Sequence, residues 1–163
     1  KLSSHEYEKR RADYFYSLGL YGRSASMYKR ILDNGDGRSL SHEFRGKVWN
    51  NLGACYGELF SFQKAMDAYV CAWNEKPEAA YLKGMYFLTK LDPELSMKDR
   101  CRELLASQDT EGWDREFNEA LARAGQTGPA VRLQEIFDRD PEKRLEGAAK
   151  VLNQWKLEYR KVL

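Results

Sequence analysis

The chain has 163 residues, of which 42% are hydrophobic and 32% charged, and its formal net charge is +2. This composition is typical of a soluble globular domain, and the length is that of about one domain. No apolar run approaches the ~20 residues that span a bilayer, and the net charge is small, so we expect neither membrane contact by this segment nor a nucleic acid partner.

Helical patterns run along the whole chain, without a convincing run of alternating β-branched residues, which predicts an all-α fold. The first predicted helix starts at SSHEYEKRRADYFYSL, where Ser3 and Glu6 have the spacing of a capping box. Its apolar residues near one face are Tyr7, Tyr14, Phe15 and Leu18. The stretch GLYG ends this helix, and a second helix follows with Ala25, Tyr28, Ile31 and Leu32.

The turn NGDGR, with Asp36-Gly37, separates this pair from the next helices. The third helix is predicted from about Ser41 to Leu59, with apolar residues at steps of three and four. The fourth begins near Ser61 and stops before Pro77. A short link between two such helices favours antiparallel packing, and we expect the small residues Gly53 and Ala65 to let the two backbones come close.

The third and fourth helices together resemble a tetratricopeptide repeat (TPR). The family pattern of Trp, Leu-Gly, Tyr, Ala, an aromatic residue, Ala and Pro is matched at the family's spacing. The matching residues are Trp49, Leu52, Gly53, Tyr56, Ala65, Tyr69, Ala72 and Pro77. The resemblance implies antiparallel helical hairpins stacked as a short right-handed superhelix.

A degenerate copy of the pattern lies 41 residues earlier, and its extra length relative to the family falls in the NGDG loop, where insertions cost little. This copy has Ala12 at the position of Gly53, Phe15 at that of Tyr56, Ser24 at that of Ala65, Tyr28 at that of Tyr69 and Ile31 at that of Ala72.

The predicted organisation is therefore a single TPR-like domain over 1–163. It consists of a degenerate repeat at 1–34, a clear repeat at 41–77, a third repeat at 78–107 and a C-terminal helical extension or cap at 108–163. In the third repeat Gly84 takes the small position, and the second helix is expected to start with Asp92 as cap and Pro93 in its first turn. A solenoid needs its last repeat covered, which is the role we assign to the C-terminal helices.

Catalytic and metal-binding motifs are not found. His5 and His42 each precede a glutamate, but neither is followed by the second histidine that a zinc-protease motif requires, so no metal site and no cofactor are expected.

The three cysteines, Cys55, Cys71 and Cys101, include no CxxC pair and are odd in number, which favours a reducing, cytoplasmic location. The chain begins at Lys1 without a leader pattern, which we interpret as a fragment of a longer protein.

In the TPR family, non-core residues of the first helix of each pair line a concave groove that binds a peptide or a helix. Carried over to this sequence, the resemblance predicts a peptide-binding groove with Lys9, Arg10, Asp13, Tyr16, Lys47, Asn50, Asn51 and Tyr81. Lys9 and Asn51 match two members of the family's clamp for a terminal carboxylate, but Asp13 stands where that clamp requires Asn and would repel the ligand.

The function expected from this pattern is that of a non-catalytic scaffold or adaptor for a protein or peptide partner. The alternative is a structural, self-associating or regulatory module of a larger protein. Self-association would make the chain a homo-oligomer. In that case the C-terminal amphipathic helix, with Leu152, Trp155, Tyr159 and Val162, would be the interface.

Overall fold

The computed structural model describes residues 3–34 and 40–124, with side chains described for residues 3–33 and 40–120. The described residues contain helices and no strand, which confirms the predicted all-α class. The helices are α1 Ser4–Ser17, α2 Tyr21–Asn34, α3 His42–Glu58, α4 Phe62–Glu75, α5 Ala79–Leu91, α6 Asp99–Ala106 and α7 Glu111–Ala124. The NGDG turn and the C-terminal helix with Leu152, Trp155, Tyr159 and Val162 lie outside the described residues.

The chain divides into two compact units, residues 1–108 and 109–163. In the first unit each of the helices α1 to α4 packs on the next, and α3 also contacts both α1 and α5. The second unit contains α7, whose Trp113 and Phe117 are half-buried.

Local signals place the helix starts close to where the sequence puts them. Ser3 accepts the Glu6 amide on Oγ at 3.2 Å, and Glu6 Oε2 accepts the Ser3 amide at 2.9 Å, so the predicted capping box is present. Ser41 caps α3 by accepting the Phe44 amide at 3.1 Å. Pro77 follows directly on Lys76, the extended residue that ends α4.

The links α1–α2 and α3–α4 have the same construction at an interval of 41 residues. Gly19 (φ 77°) and Phe60 (φ 57°) both adopt left-handed backbone conformations. The residue after each donates its amide to a carbonyl five residues back: Leu20 to Phe15 at 2.9 Å, and Ser61 to Tyr56 at 2.8 Å. The two helical hairpins therefore turn by the same hydrogen-bonded motif, although only the first has the glycine that this motif favours.

A core of small and aliphatic side chains joins α1 to α4. Ala12, Tyr28, Val48, Leu52 and Cys55 are each at most 1% exposed. Ser24, also fully buried, donates from Oγ to the Ala12 carbonyl at 2.7 Å, so the Ala12–Ser24 pair brings α1 and α2 into close contact.

Gly53 and Gly84 flank the ring of Tyr69 from two different helices. A methyl group at Gly53 in α3 would lie 3.0 Å from the Tyr69 ring, and one at Gly84 in α5 would lie 2.7 Å from it. The atoms nearest to Gly53 are therefore those of the Tyr69 ring rather than those of Ala65. Both glycines leave the space that this aromatic side chain of α4 occupies.

One sequence-based expectation about the helices is wrong. The helix expected to begin at Asp92-Pro93 begins instead at Asp99, with Lys98 as its N-cap. Residues 92–98 form a non-helical connection that begins with a turn at Pro93–Glu94, in which the Glu94 amide donates to Asp92 Oδ1 at 3.1 Å. Gln63 of α4 binds the Ser96 backbone of this connection through both its amide nitrogen (3.1 Å) and its oxygen (3.0 Å). Leu95 is buried at 7% exposure and fastens the same connection to the fold.

Three of the apolar residues that the sequence places near one face of α1 are exposed. Tyr7, Tyr14 and Leu18 are 58%, 61% and 52% exposed and do not contribute to the core. The helix packs through its opposite side, where Ala12 is its buried residue.

Candidate functional site

A cavity of about 290 Å³ lies between α1 and α3 and is lined by Asp13, Tyr16, Tyr28, Asn51 and Ala54. We refer to it as the α1–α3 cleft. Asp13 and Tyr16 lie on α1, and Asn51 and Ala54 lie one turn apart on α3. Helical spacing explains each pair, because residues three apart share one face of a helix.

The Asp13 carboxylate lies at the centre of the cleft and bonds to side chains of two other helices and of its own helix. Its Oδ1 accepts hydrogen bonds from the Tyr28 hydroxyl of α2 and from Asn51 Nδ2 of α3, the latter at 3.1 Å. Its Oδ2 lies 2.9 Å from Lys9 Nζ, one turn back on α1. The Asn51 oxygen in turn accepts from Asn50 Nδ2 at 3.4 Å.

Tyr28 is 1% exposed, and its burial together with the neighbouring Asp13 carboxylate raises the pKa of its phenol well above the usual value. The phenol is therefore neutral at physiological pH and acts as a hydrogen-bond donor. Because the hydroxyl is held from both sides by Asp13 and Asn51, the cleft is a preorganised polar surface.

Asp13 also changes what the cleft can bind. Lys9 and Asn51, the two residues expected to bind a carboxylate, both direct donors at the Asp13 carboxylate. An incoming carboxylate would have to displace this internal one against its repulsion, which costs free energy. The rest of the lining is formed by the half-buried Tyr16 and Ala54.

The remaining predicted groove residues are distributed over three places. Lys47 is exposed on α3 one turn before Asn51, and its Nζ lies 3.5 Å from Glu43 Oε1. Arg10 is exposed on another side of α1, where it lines a separate depression.

Tyr81 does not belong to an open groove, because its side chain is 2% exposed. Its hydroxyl lies 3.1 Å from the position that a methyl group on Gly46 would take. Burial raises the pKa of this phenol. Tyr81 therefore packs between helices, in a space that Gly46 leaves free.

Tyr28 is the cleft residue that sequence reasoning missed. The apolar spacing on α2 predicts that Tyr28 lies in the core. Its ring does lie there, but its hydroxyl reaches past the core to Asp13. The only available signal was the internal repeat, which pairs Tyr28 with Tyr69 and leaves a carboxylate, Asp13, where the second copy has Ala54.

The thiols of Cys55 and Cys71 show little sign of reactivity. Burial raises the pKa of Cys55 to about 11 and also raises that of Cys71, so neither forms a thiolate readily. In the described part of the chain, no three His, Cys, Asp or Glu side chains are grouped so that they could hold a metal ion. Among the described helices, none combines the length and apolar character that crossing a bilayer requires.

Comparison of the chain with protein-family models, with curated proteins and with solved structures gives no match in any of the three.

Proposed function

We propose that this chain is a non-catalytic protein-interaction module of the TPR type. Its α1–α3 cleft binds a peptide segment or helix of a partner protein. The observation that carries the proposal is the cleft itself, a cavity of about 290 Å³ with a fixed polar network and open, partly apolar walls.

Two structural features support a repeat architecture. The α1–α2 and α3–α4 links share one hydrogen-bonded turn at an interval of 41 residues. The first helices of successive pairs also touch, since α3 contacts both α1 and α5. Stacked pairs with this contact pattern present their first helices side by side, which is the arrangement that lines a continuous binding surface in helical solenoids.

The chemistry of the cleft supports recognition of a side chain rather than of a chain terminus. Asp13 already occupies the donors of Lys9 and Asn51, so a terminal carboxylate is disfavoured. Tyr16 and Ala54 offer contact area within the cleft. Asn50, whose Nδ2 lies 3.4 Å from Oδ1 of the lining residue Asn51, offers hydrogen-bonding groups beside it. This combination suits an uncharged peptide side chain that inserts into the cleft while its backbone bonds to the amides at the rim.

The test uses a substitution that fills the cleft without touching the network. Ala54→Leu adds bulk to the wall, and Leu is nearly as good a helix former as Ala. Ala80→Leu makes the same change at an exposed position of α5 and is the matched control. Peptides selected from a random display library on the unmodified chain should lose binding to Ala54→Leu and retain it with Ala80→Leu.

Far-UV circular dichroism and thermal unfolding of both variants control for loss of fold. Selected peptides that bind Ala54→Leu as tightly as the unmodified chain would show that the cleft is not the binding site. Failure of repeated selections to enrich any peptide would count against the proposal as a whole.

A further inference from the structure

A second surface of α1 is open and is separate from the α1–α3 cleft. Tyr7, Arg10, Arg11, Tyr14 and Phe15 line a depression of about 500 Å³. We call these five residues, together with Leu18, the α1 outer face. Tyr7 and Tyr14 are 58% and 61% exposed, which is unusual for two large aromatic side chains one above the other on a single helix.

The internal repeat shows what kind of element fits this face. At the interval of 41 residues that relates the two links, the α1 stripe Tyr7, Arg11, Tyr14 and Leu18 corresponds to Val48, Leu52, Cys55 and Leu59 of α3. On α3 this stripe is buried, with Val48, Leu52 and Cys55 at most 1% exposed.

The partner of the α3 stripe is a helix. Val48, Leu52 and Cys55 belong to one core cluster with Ala25, Tyr28 and Ile31 of α2. The equivalent stripe on α1 therefore has the residue spacing and the exposure of a surface on which a further helix packs, in the position that α2 takes against α3.

The charge of the face decides the character of that helix. Where α3 has Asn51 and Leu52, α1 has the exposed guanidinium groups of Arg10 and Arg11. Arg11 lies 5.9 Å from the centre of the Tyr7 ring, and neither arginine forms an ion pair with a described residue. Glu6, one turn before Arg10, has its carboxylate bonded to the Ser3 amide at 2.9 Å, and the charge of Arg10 adds to the lowering of its pKa. A helix seated here would have to place carboxylates opposite two exposed cations.

We infer that the α1 outer face is a docking surface for an amphipathic helix of acidic character, whose apolar side covers Tyr7 and Tyr14 and whose carboxylates pair with Arg10 and Arg11. A second copy of the chain fits less well through its own α2, because Arg23, Lys29 and Arg30 make that helix basic. The inference is independent of ligand binding in the α1–α3 cleft.

The test measures binding of two synthetic amphipathic helices of about 20 residues, long enough to form helix in water. Both carry leucines along one side; in one the leucines are flanked by glutamates and in the other by lysines. Fluorescence anisotropy of the labelled peptides gives the Kd for the unmodified chain and for two variants. Arg10→Glu/Arg11→Glu reverses the charge of the face, whereas Lys29→Glu/Arg30→Glu makes the same change at exposed positions of α2.

The unmodified chain should bind the glutamate helix and not the lysine helix. Arg10→Glu/Arg11→Glu should weaken binding of the glutamate helix by at least about tenfold and create binding of the lysine helix. Lys29→Glu/Arg30→Glu should bind as the unmodified chain does. A Tyr7→Ser/Tyr14→Ser variant should lose affinity for the glutamate helix without a change in helicity, since both rings are exposed.

Equal binding of the two peptides, an equal effect of the α2 control variant, or no binding at high micromolar peptide would each overturn the inference. So would loss of binding in Ala54→Leu, because the peptide would then occupy the α1–α3 cleft. A single-stranded oligothymidine that binds the α1 outer face more tightly than the glutamate helix would assign the arginines to nucleic acid instead.

Discussion

The contact between Gly84 and Tyr69 gives the sharpest test of the packing. Gly84→Ala places a methyl group 2.7 Å from two carbons of the Tyr69 ring, a separation that carbon atoms do not adopt. The ring has little room to retreat, because the corresponding methyl position on Gly53, on α3, is only 3.0 Å from it. Either α5 or the ring must therefore move.

Two opposing contributions set the size of the effect. Ala is favoured over Gly within a helix by about 1 kcal/mol, whereas overpacking of a filled site typically costs about 1–3 kcal/mol. At 2.7 Å we expect the upper part of that range, and so a net loss of about 1–2 kcal/mol in the free energy of unfolding. At Gly53 the contact is 3.0–3.1 Å, so Gly53→Ala should be closer to neutral.

Gly57 is the control within the same set of helices. No atom lies within 4 Å of its methyl position, so Gly57→Ala should stabilise the protein by up to ~1 kcal/mol. Urea unfolding followed by far-UV circular dichroism should thus rank Gly57→Ala above Gly53→Ala and Gly53→Ala above Gly84→Ala. In a Tyr69→Leu background, which removes the outer ring carbons, the penalty of Gly84→Ala should disappear.

A Gly84→Ala variant as stable as the unmodified chain would refute the reasoning. A penalty that persists unchanged in the Tyr69→Leu background would do the same, because the clash would then lie elsewhere.

Three further predictions concern hydrogen bonding, pH and backbone strain. Tyr28→Phe removes a buried donor to the Asp13 carboxylate and should lower the free energy of unfolding by about 1.5–2 kcal/mol. A loss below ~0.5 kcal/mol in urea unfolding would show that this hydrogen bond does not stabilise the fold. Burial raises the pKa of Glu75, but the hydrogen bonds and charges of Arg45 and His42 together outweigh it and hold that pKa below its usual value. The carboxylate therefore stabilises the fold above its unfolded pKa, and this contribution is lost as pH falls through the folded pKa. Thermal unfolding of Glu75→Gln should accordingly show a deficit of about 0.5–1 kcal/mol near neutral pH that vanishes at acidic pH, and a deficit independent of pH would argue against the ion pair. Phe60 has φ 57°, so Phe60→Gly should be more stable than Phe60→Ala by about 1 kcal/mol, and the opposite order would show that the link can do without a left-handed residue.

Local patterns were sufficient to predict the helices of the first two pairs. The capping residues Ser3 and Ser41 and the stop before Pro77 act on their own neighbours, so their effect can be read from adjacent residues. The same patterns failed at Asp92-Pro93, which reads as a helix start. There a local turn forms instead, in which the Glu94 amide donates to Asp92 Oδ1. The segment that follows is bound at Ser96 by Gln63, 33 residues earlier in the chain, and no local pattern contains that contact.

The sequence by itself determined the all-α class, the starts and ends of the well-capped helices and the internal interval of 41 residues, because these follow from short-range hydrogen bonding and the periodicity of apolar residues. Only the tertiary structure decided that Tyr81 is buried, that Tyr28 joins Asp13 in the cleft, and that Tyr7 and Tyr14 remain exposed. The physical reason is that a side chain's burial depends on which helix packs against it. An apolar stripe on a helix predicts that another helix can pack against that stripe. The positions of the neighbouring helices determine whether one does.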